Sequence, residues 1–255
     1  MLNLYKKIEN LQKQGIDFAL CTIVSTKGSV PLGTGSKMIV CEDSSIYGTV
    51  GGGYVEKQAI DNAINQLKKN STKLLKIILD KKSGTCCGGK VEIFIEPMLK
   101  PKKLFIFGGG HVCKALLNYL PNLHFDTEVI DDREDIFDDQ IFTNINTTVS
   151  DFDTYLNKMD FSDDIFVIII TYSHSADYQI LSYGLQNKWQ YMGMMGSMNK
   201  VKKMTKRLLN EGISKETIER VDMPIGKDIK AQTANEIAIS IIAELIEKRA
   251  ELNNK

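Results

Sequence analysis

Leu104-Phe105-Ile106-Phe107-Gly108-Gly109-Gly110-His111 runs an apolar strand into three glycines and then into a helix. Glycines at such a junction let the backbone approach a ligand with no side chain in the way, and the amides that open a helix face an anion such as a phosphate. Asp131 and Asp132 follow 23 and 24 residues after Gly108. They fall at the end of the next expected strand, where a carboxylate can hold ribose hydroxyls. Cys113 stands where the fingerprint G-x-G-x-x-G has its third glycine, a larger side chain at the contact of helix and strand. The stretch predicts a mononucleotide or dinucleotide fold that binds a nicotinamide cofactor, another ligand or none.

Downstream of this junction the pattern alternates. Strands are expected at 104–107, 128–131, near Thr147, at 165–171 and at 191–194, and helices at 111–120, 176–186 and 200–209. Strand–helix alternation predicts a Rossmann-like, doubly wound parallel sheet with helices on both faces. Thr233 and Glu236 form a capping box for a last helix, which carries Ile237, Ile241 and Leu245 on a wide apolar face. Upstream, Glu96-Pro97-Met98-Leu99-Lys100-Pro101 puts two prolines between strand-like segments and predicts a domain boundary. Residues 1–98 are expected to form a small α+β domain and 102–255 the Rossmann-like one. In the first domain the pattern predicts a helix over 2–14, strands at 18–25, 38–41, 74–79 and 91–95, and a helix after Gly53.

The 32 Lys and Arg balance the 32 Asp and Glu, which leaves no general field for phosphate backbones or anionic membranes. No nucleic acid or membrane partner is expected. The apolar run 165–170 is far shorter than the roughly 20 residues that span a bilayer. The N-terminus shows helical spacing at Leu4, Ile8 and Leu11 rather than an export signal, so a cytoplasmic location is expected. Five cysteines, an odd number, fit reduced thiols better than a disulfide framework.

Five further loops carry candidate chemistry. In Gly48-Thr49-Val50-Gly51-Gly52-Gly53-Tyr54-Val55-Glu56, three glycines precede a helix and Glu56 sits in its first turn. The loop either wraps a phosphate or a pterin or permits a tight turn, and Gly28-Ser29-Val30-Pro31-Leu32-Gly33-Thr34-Gly35 could form the opposite wall. Thr171-Tyr172-Ser173-His174-Ser175-Ala176-Asp177 gathers hydroxyls, an imidazole and a carboxylate at the carboxyl edge of the sheet. There His174 is either a ligand contact or a capping residue, with Asp177 as a helix-terminal charge. Gly196-Ser197 followed by Lys200 either seats an anion or simply caps a helix. Thr85-Cys86-Cys87-Gly88-Gly89 places two thiols in a turn, where a sulfur-handling nucleophile, a contact to a soft metal carried by a ligand, and accidental cysteines compete.

Taken in order, Gly28-Ser29-Val30-Pro31, Gly48 to Gly53 with Glu56, Cys86-Cys87-Gly88-Gly89, Gly108-Gly109-Gly110-His111-Val112 and Pro224-Ile225-Gly226-Lys227-Asp228-Ile229 resemble the XdhC/CoxI family over nearly the whole chain. That resemblance implies an accessory factor that binds molybdenum cofactor, supports its sulfuration with a cysteine desulfurase, and delivers it to an apo molybdenum hydroxylase such as xanthine dehydrogenase. It also implies a homodimer. On this reading Cys86 and Cys87 meet the metal or its sulfur, and Gly51, Gly52 and Gly53 with Glu56 meet the phosphate or pterin. Gly108, Gly110, His111, Asp131 and His174 meet a nucleotide-like moiety. Leu32, Tyr54 and Met198-Asn199 depart from the family pattern. The lack of a nucleophile–base–orienter set favours a carrier over a catalyst. The alternatives are an NAD(P)-dependent oxidoreductase with His111 or His174 as proton donor, and an assembly scaffold.

Overall fold

The computed structural model describes residues 2–79 and 88–253. The chain divides into two compact units, Met1–Lys100 and Pro101–Glu251. The first contains α1 (Leu2–Lys13), β1 (Phe18–Lys27), β2 (Lys37–Cys41), β3 (Ile46–Gly48), α2 (Gly53–Lys69), β4 (Lys73–Ile78) and β5 (Lys90–Met98). Its strands pair antiparallel in the order β3-β2-β1-β5-β4.

The two-residue period of β1 sends alternate side chains to opposite faces. Ala19, Cys21 and Ile23 pack with Val55, Ala59, Ala63 and Leu67, a four-residue repeat along α2. Phe18 and Leu20 pack with Leu4, Ile8 and Leu11 of α1. Burying a Val or Leu side chain contributes roughly 1.5–3 kcal/mol, so these two stripes dock both helices. β3 has no counterpart in the sequence reading, because three exposed residues carry no alternation. β5 continues through Pro97, which lies beyond Ile95, where pairing with β4 ends. The missing N–H therefore breaks no bond on that side.

The second unit contains β6 (Lys102–Phe107), α3 (His111–Leu117), β7 (Phe125–Asp131), β8 (Asn146–Val149), α4 (Phe152–Leu156) and β9 (Phe166–Ile169). It continues with α5 (His174–Gly184), β10 (Tyr191–Met194), α6 (Met198–Asn210), α7 (Lys215–Glu219) and α8 (Ala234–Asn253). The strands are parallel in the order β10-β9-β6-β7-β8. This is the Rossmann-type arrangement expected, with its topological switch between β6 and β9.

Phe105, Phe107, Val167, Ile169, Met192 and Met194 face a core completed by α4, α5, α6 and α7. On the other face Tyr191 donates to Glu244 of α8, and Arg249 of α8 stacks over Phe125. β6 is therefore buried on both sides, which is why it reads as a continuous apolar run. α3 ends at Leu117, three residues before the expected end, because Pro121 disfavours helix at Leu120. α4 and α7 have no counterpart in the sequence pattern, since five residues are too few to show a helical period. Cys21, Cys41 and Cys113 are free and buried. Burial pushes the Cys21 thiol up to about 12, which keeps it unreactive. Among the described residues no helix is long and apolar enough to cross a membrane.

Candidate functional site

At the switch point the ends of β6 and β9 press together. Gly108 has φ +109°, and a Cβ there would lie 2.5 Å from the Ile170 carbonyl oxygen, so only glycine fits. Its N–H donates to the Ile130 carbonyl at 2.8 Å, and the next amide, Gly109, donates to Asp131 Oδ2 at 2.7 Å. Gly110 differs: its φ is −70°, and a Cβ would meet no heavy atom within 4 Å. It opens onto a cavity of about 310 Å³ lined by His111, Lys114, Arg133, Thr171 and Tyr172 among others.

Asp131 does not do what the sequence suggests. It is fully buried, and its four lone-pair positions accept the Gly109 amide, the Arg133 amide at 3.1 Å, and Arg133 Nε and Nη2 at 2.8 and 2.9 Å. A carboxylate satisfied this way has no lone pair left for a ribose; it locks the glycine loop to Arg133. Burial opposes its ionisation, but the Arg133 guanidinium and the two amides outweigh that and hold the carboxyl below its ordinary value. Asp132 takes the outward position and accepts the Tyr172 hydroxyl at 2.9 Å. The Arg133 guanidinium lies 4.4 Å from the Tyr172 ring centroid, a cation–π contact. Arg133 has no place in the sequence reading, although an arginine two residues after an aspartate is a signal for such a clamp, whereas Tyr172 belongs to the hydroxyl-bearing loop that the sequence singles out.

His111 opens α3, is exposed and lines the cavity. His174 does not join it. It is the first residue of α5, two residues before the expected helix start, and lines a separate hollow of about 330 Å³ with Asn199, Lys203 and Arg207. Lys200 is turned inward: its ammonium contacts the Asp177 carboxylate and donates to the Met195 carbonyl at 2.7 Å. Asp177, nearly inaccessible, also accepts the Thr171 amide at 3.1 Å and hydroxyl at 2.7 Å. Ser197 is the α6 cap, accepting from the Lys200 amide. An anion seat at Gly196–Lys200 is thus replaced by a cap and a buried ion pair.

Met195 also lines a larger chamber of about 760 Å³, walled by Pro224-Ile225-Gly226-Lys227-Asp228-Ile229 and by Ser197 and Met198. The motif is pinned to α8. Gly226 N–H donates to Glu244 Oε2 at 3.1 Å, and its φ of +97° would bring a Cβ within 2.3 Å of Ser240 Oγ. Burial raises the Glu244 carboxyl above its usual range, against the hydrogen bonds from Tyr191 and Gly226.

In the first unit three glycine segments converge. Gly51, Gly52 and Gly53 have φ of +122°, +75° and +50°, and a Cβ on Gly51 would lie 3.0 Å from Pro31. Ser29 forms a parallel bridge with Gly88, the residue after Cys87 in the chain, and a Cβ on Gly89 would lie 2.2 Å from the Ser29 carbonyl oxygen. Glu56 Oε1 accepts the Thr49 hydroxyl and the Gly52 amide, the latter at 3.0 Å, so one of its oxygens holds the turn. Cys86 and Cys87 lie outside the described residues. Among the described residues no group of three or more His, Cys, Asp or Glu is arranged to hold a metal ion.

A parallel sheet in Rossmann order with an open glycine at its switch point places the second unit among the doubly wound folds, whose ligands sit outside the carboxyl ends of the strands. Residues 104–245 match the family model of the XdhC Rossmann domain, and residues 11–77 match that of the XdhC and CoxI family. The chain belongs to the XdhC/CoxI family. It is 29% identical over 252 residues to the uncharacterized protein YqeB of Escherichia coli K12, covering 96% of this chain and 46% of that protein. It is 27% identical over 159 residues to a probable xanthine dehydrogenase component of Bacillus subtilis 168, covering 62% of this chain and 46% of that protein. The chain thus spans about half the length of these curated relatives. A crystal structure of a xanthine dehydrogenase from Bacillus halodurans superposes with a TM-score of 0.55 at 21% identity, covering 96% of this chain and 95% of that chain. At that identity the likeness concerns the fold.

Proposed function

We propose that the chain is an accessory factor that binds molybdenum cofactor, supports its sulfuration together with a cysteine desulfurase, and delivers it to an apo molybdenum hydroxylase of the xanthine dehydrogenase type. The observation that carries this reading is the open Gly110 face beside Lys114 and Arg133. It offers unobstructed backbone to an anionic group, with Arg133 and Lys114 at the rim held by Asp131 and Asp139, next to a larger chamber that shares Met195. Family membership and relatives described as xanthine dehydrogenase proteins direct the reading to that enzyme class. His111 and the outward Asp132–Tyr172 pair would contact the nucleotide-like part of the cargo, and Cys86 with Cys87 its metal or sulfur, since thiolates suit soft metals.

The test is activation of apo xanthine dehydrogenase by molybdenum cofactor, cysteine desulfurase and cysteine, with and without this chain. The chain is expected to raise the activated fraction. The double variant Cys86→Ser, Cys87→Ser should retain about tenfold less molybdenum or lower, as even indirect metal contacts are worth 10–100-fold, while its melting temperature holds. Equal activation with and without the chain would sink delivery; unchanged molybdenum in the double variant would remove the thiols from the mechanism.

The Asp132–Tyr172 pair also favours a second reading, an NAD(P)-dependent oxidoreductase that holds a ribose diol there. Nicotinamide reduction by the purified chain is the result that would select it.

A further inference from the structure

α6 carries an unusual charge pattern. Its thirteen residues include Lys200, Lys202, Lys203, Lys206 and Arg207 and no acidic residue, whereas α1, α2 and α8 mix both signs. Lys200 is buried against Asp177, and Arg207 pairs with Glu211. Lys202, Lys203 and Lys206 are exposed and make no ion pair among the described residues. Lys202 and Lys206, like Lys203 and Arg207, stand four apart, a spacing at which like charges repel. A helix selected only for stability would alternate signs here, so the local conflict points to a task outside the fold.

Met198, Lys202, Thr205, Lys206 and Leu209 follow helical spacing along one outward stripe. Its apolar ends are open, Met198 at 58% and Leu209 at 45% exposure. Apolar anchors flanking uncompensated cations suit a protein surface with carboxylates around apolar recesses, rather than a phosphate backbone. The stripe is continuous with the crevice: Ser197 and Met198 wall the larger chamber, and Ser197 also lines the hollow of His174 and Lys203.

From this we infer that the exposed face of α6 is the docking surface for an acidic protein partner, which it holds beside the mouth of the crevice. Only the identity of that partner, the hydroxylase, rests on the function proposed above.

The test immobilises the full chain and measures its binding to purified apo xanthine dehydrogenase, a glutamate homopolymer and duplex DNA, from about 50 to about 300 mM NaCl. Hydroxylase binding is expected to weaken as salt rises. The triple variant Lys202→Glu, Lys203→Glu, Lys206→Glu should weaken it by about tenfold or more at low salt, while Lys→Arg at the same positions preserves it and shows that the helix tolerates substitution. Homopolymer binding lost in the triple variant, with no hydroxylase binding at any salt, would keep the docking surface and discard the hydroxylase as partner. Hydroxylase binding equal in wild type and triple variant would overturn the inference, as would DNA bound more tightly than the homopolymer, or no binding to either acidic probe.

Discussion

Gly108→Ala is expected to cost the second unit about 3–5 kcal/mol, among the largest single-residue effects in this chain. Two penalties add. A φ of +109° is a conformation that a side chain strains, and the new Cβ would lie 2.5 Å from the Ile170 carbonyl oxygen and 2.9 Å from the Thr171 Cα. These are backbone atoms of the adjoining strand end, so no rotamer can relieve the clash without separating β6 from β9. For a unit of this size the melting temperature should fall by roughly 10 °C or more. Gly110→Ala, two residues on, meets no protein atom within 4 Å and should stay within about 1 kcal/mol of wild type. Differential scanning calorimetry of both variants checks the pair; similar losses at both positions would mean that the glycines do one structural job.

Asp131→Ala should cost about 2–4 kcal/mol, because it strands the Gly109 amide and removes the partner of both arms of the partly exposed Arg133 guanidinium. The carboxylate accepts from Gly109, the Arg133 amide and both arms of the Arg133 side chain, so its removal frees Arg133 from the crevice wall. The same group gives a pH signature. Its folded pKa lies below the ordinary value, which is about 3.9 in an unfolded chain. Its contribution is therefore fully present above about pH 4 and is lost as pH falls through the lower folded value. Urea unfolding of wild type and variant from neutral pH down to pH 3 should show the gap between them narrowing only below about pH 4. A gap independent of pH would mean that the charge on Asp131 is not what stabilises the loop.

The sequence displays what depends on periodicity and on glycine. β6 and β9 are buried on both faces, and their unbroken apolar runs announce a parallel sheet. Thr233 and Glu236 announce the last helix because the capping box is local: Glu236 accepts the Thr233 amide at 2.9 Å, and Thr233 Oγ1 accepts the Glu236 amide at 3.3 Å. What depends on three-dimensional partners is hidden. Asp131 and Asp132 are identical side chains at adjacent positions, and only the alternation of β7 with the fold of Arg133 decides that the first is inward and the second outward. Lys200 looks like a free cation until Asp177, 23 residues earlier, is seen beneath it. The separation of His174 from Gly110 arises because α5 begins at His174 and turns that residue toward α6. The single sign of α6 is plain in the sequence, but its meaning needs the buried Lys200 to be told apart from the exposed lysines.

The most direct test of the account is molybdenum retention by Gly110→Asp. At φ −70° and with open space around the Cβ, aspartate is a favourable helix cap, so stability should hold or rise by up to about 1 kcal/mol. The same carboxylate puts a negative charge where the cargo's anionic group is proposed to sit. Wild type and variant, mixed with freshly released molybdenum cofactor and passed through size exclusion under anaerobic conditions, should differ by about tenfold or more in co-eluting metal, with matching melting temperatures. Equal retention would place the cargo elsewhere and contradict the crevice as the binding site.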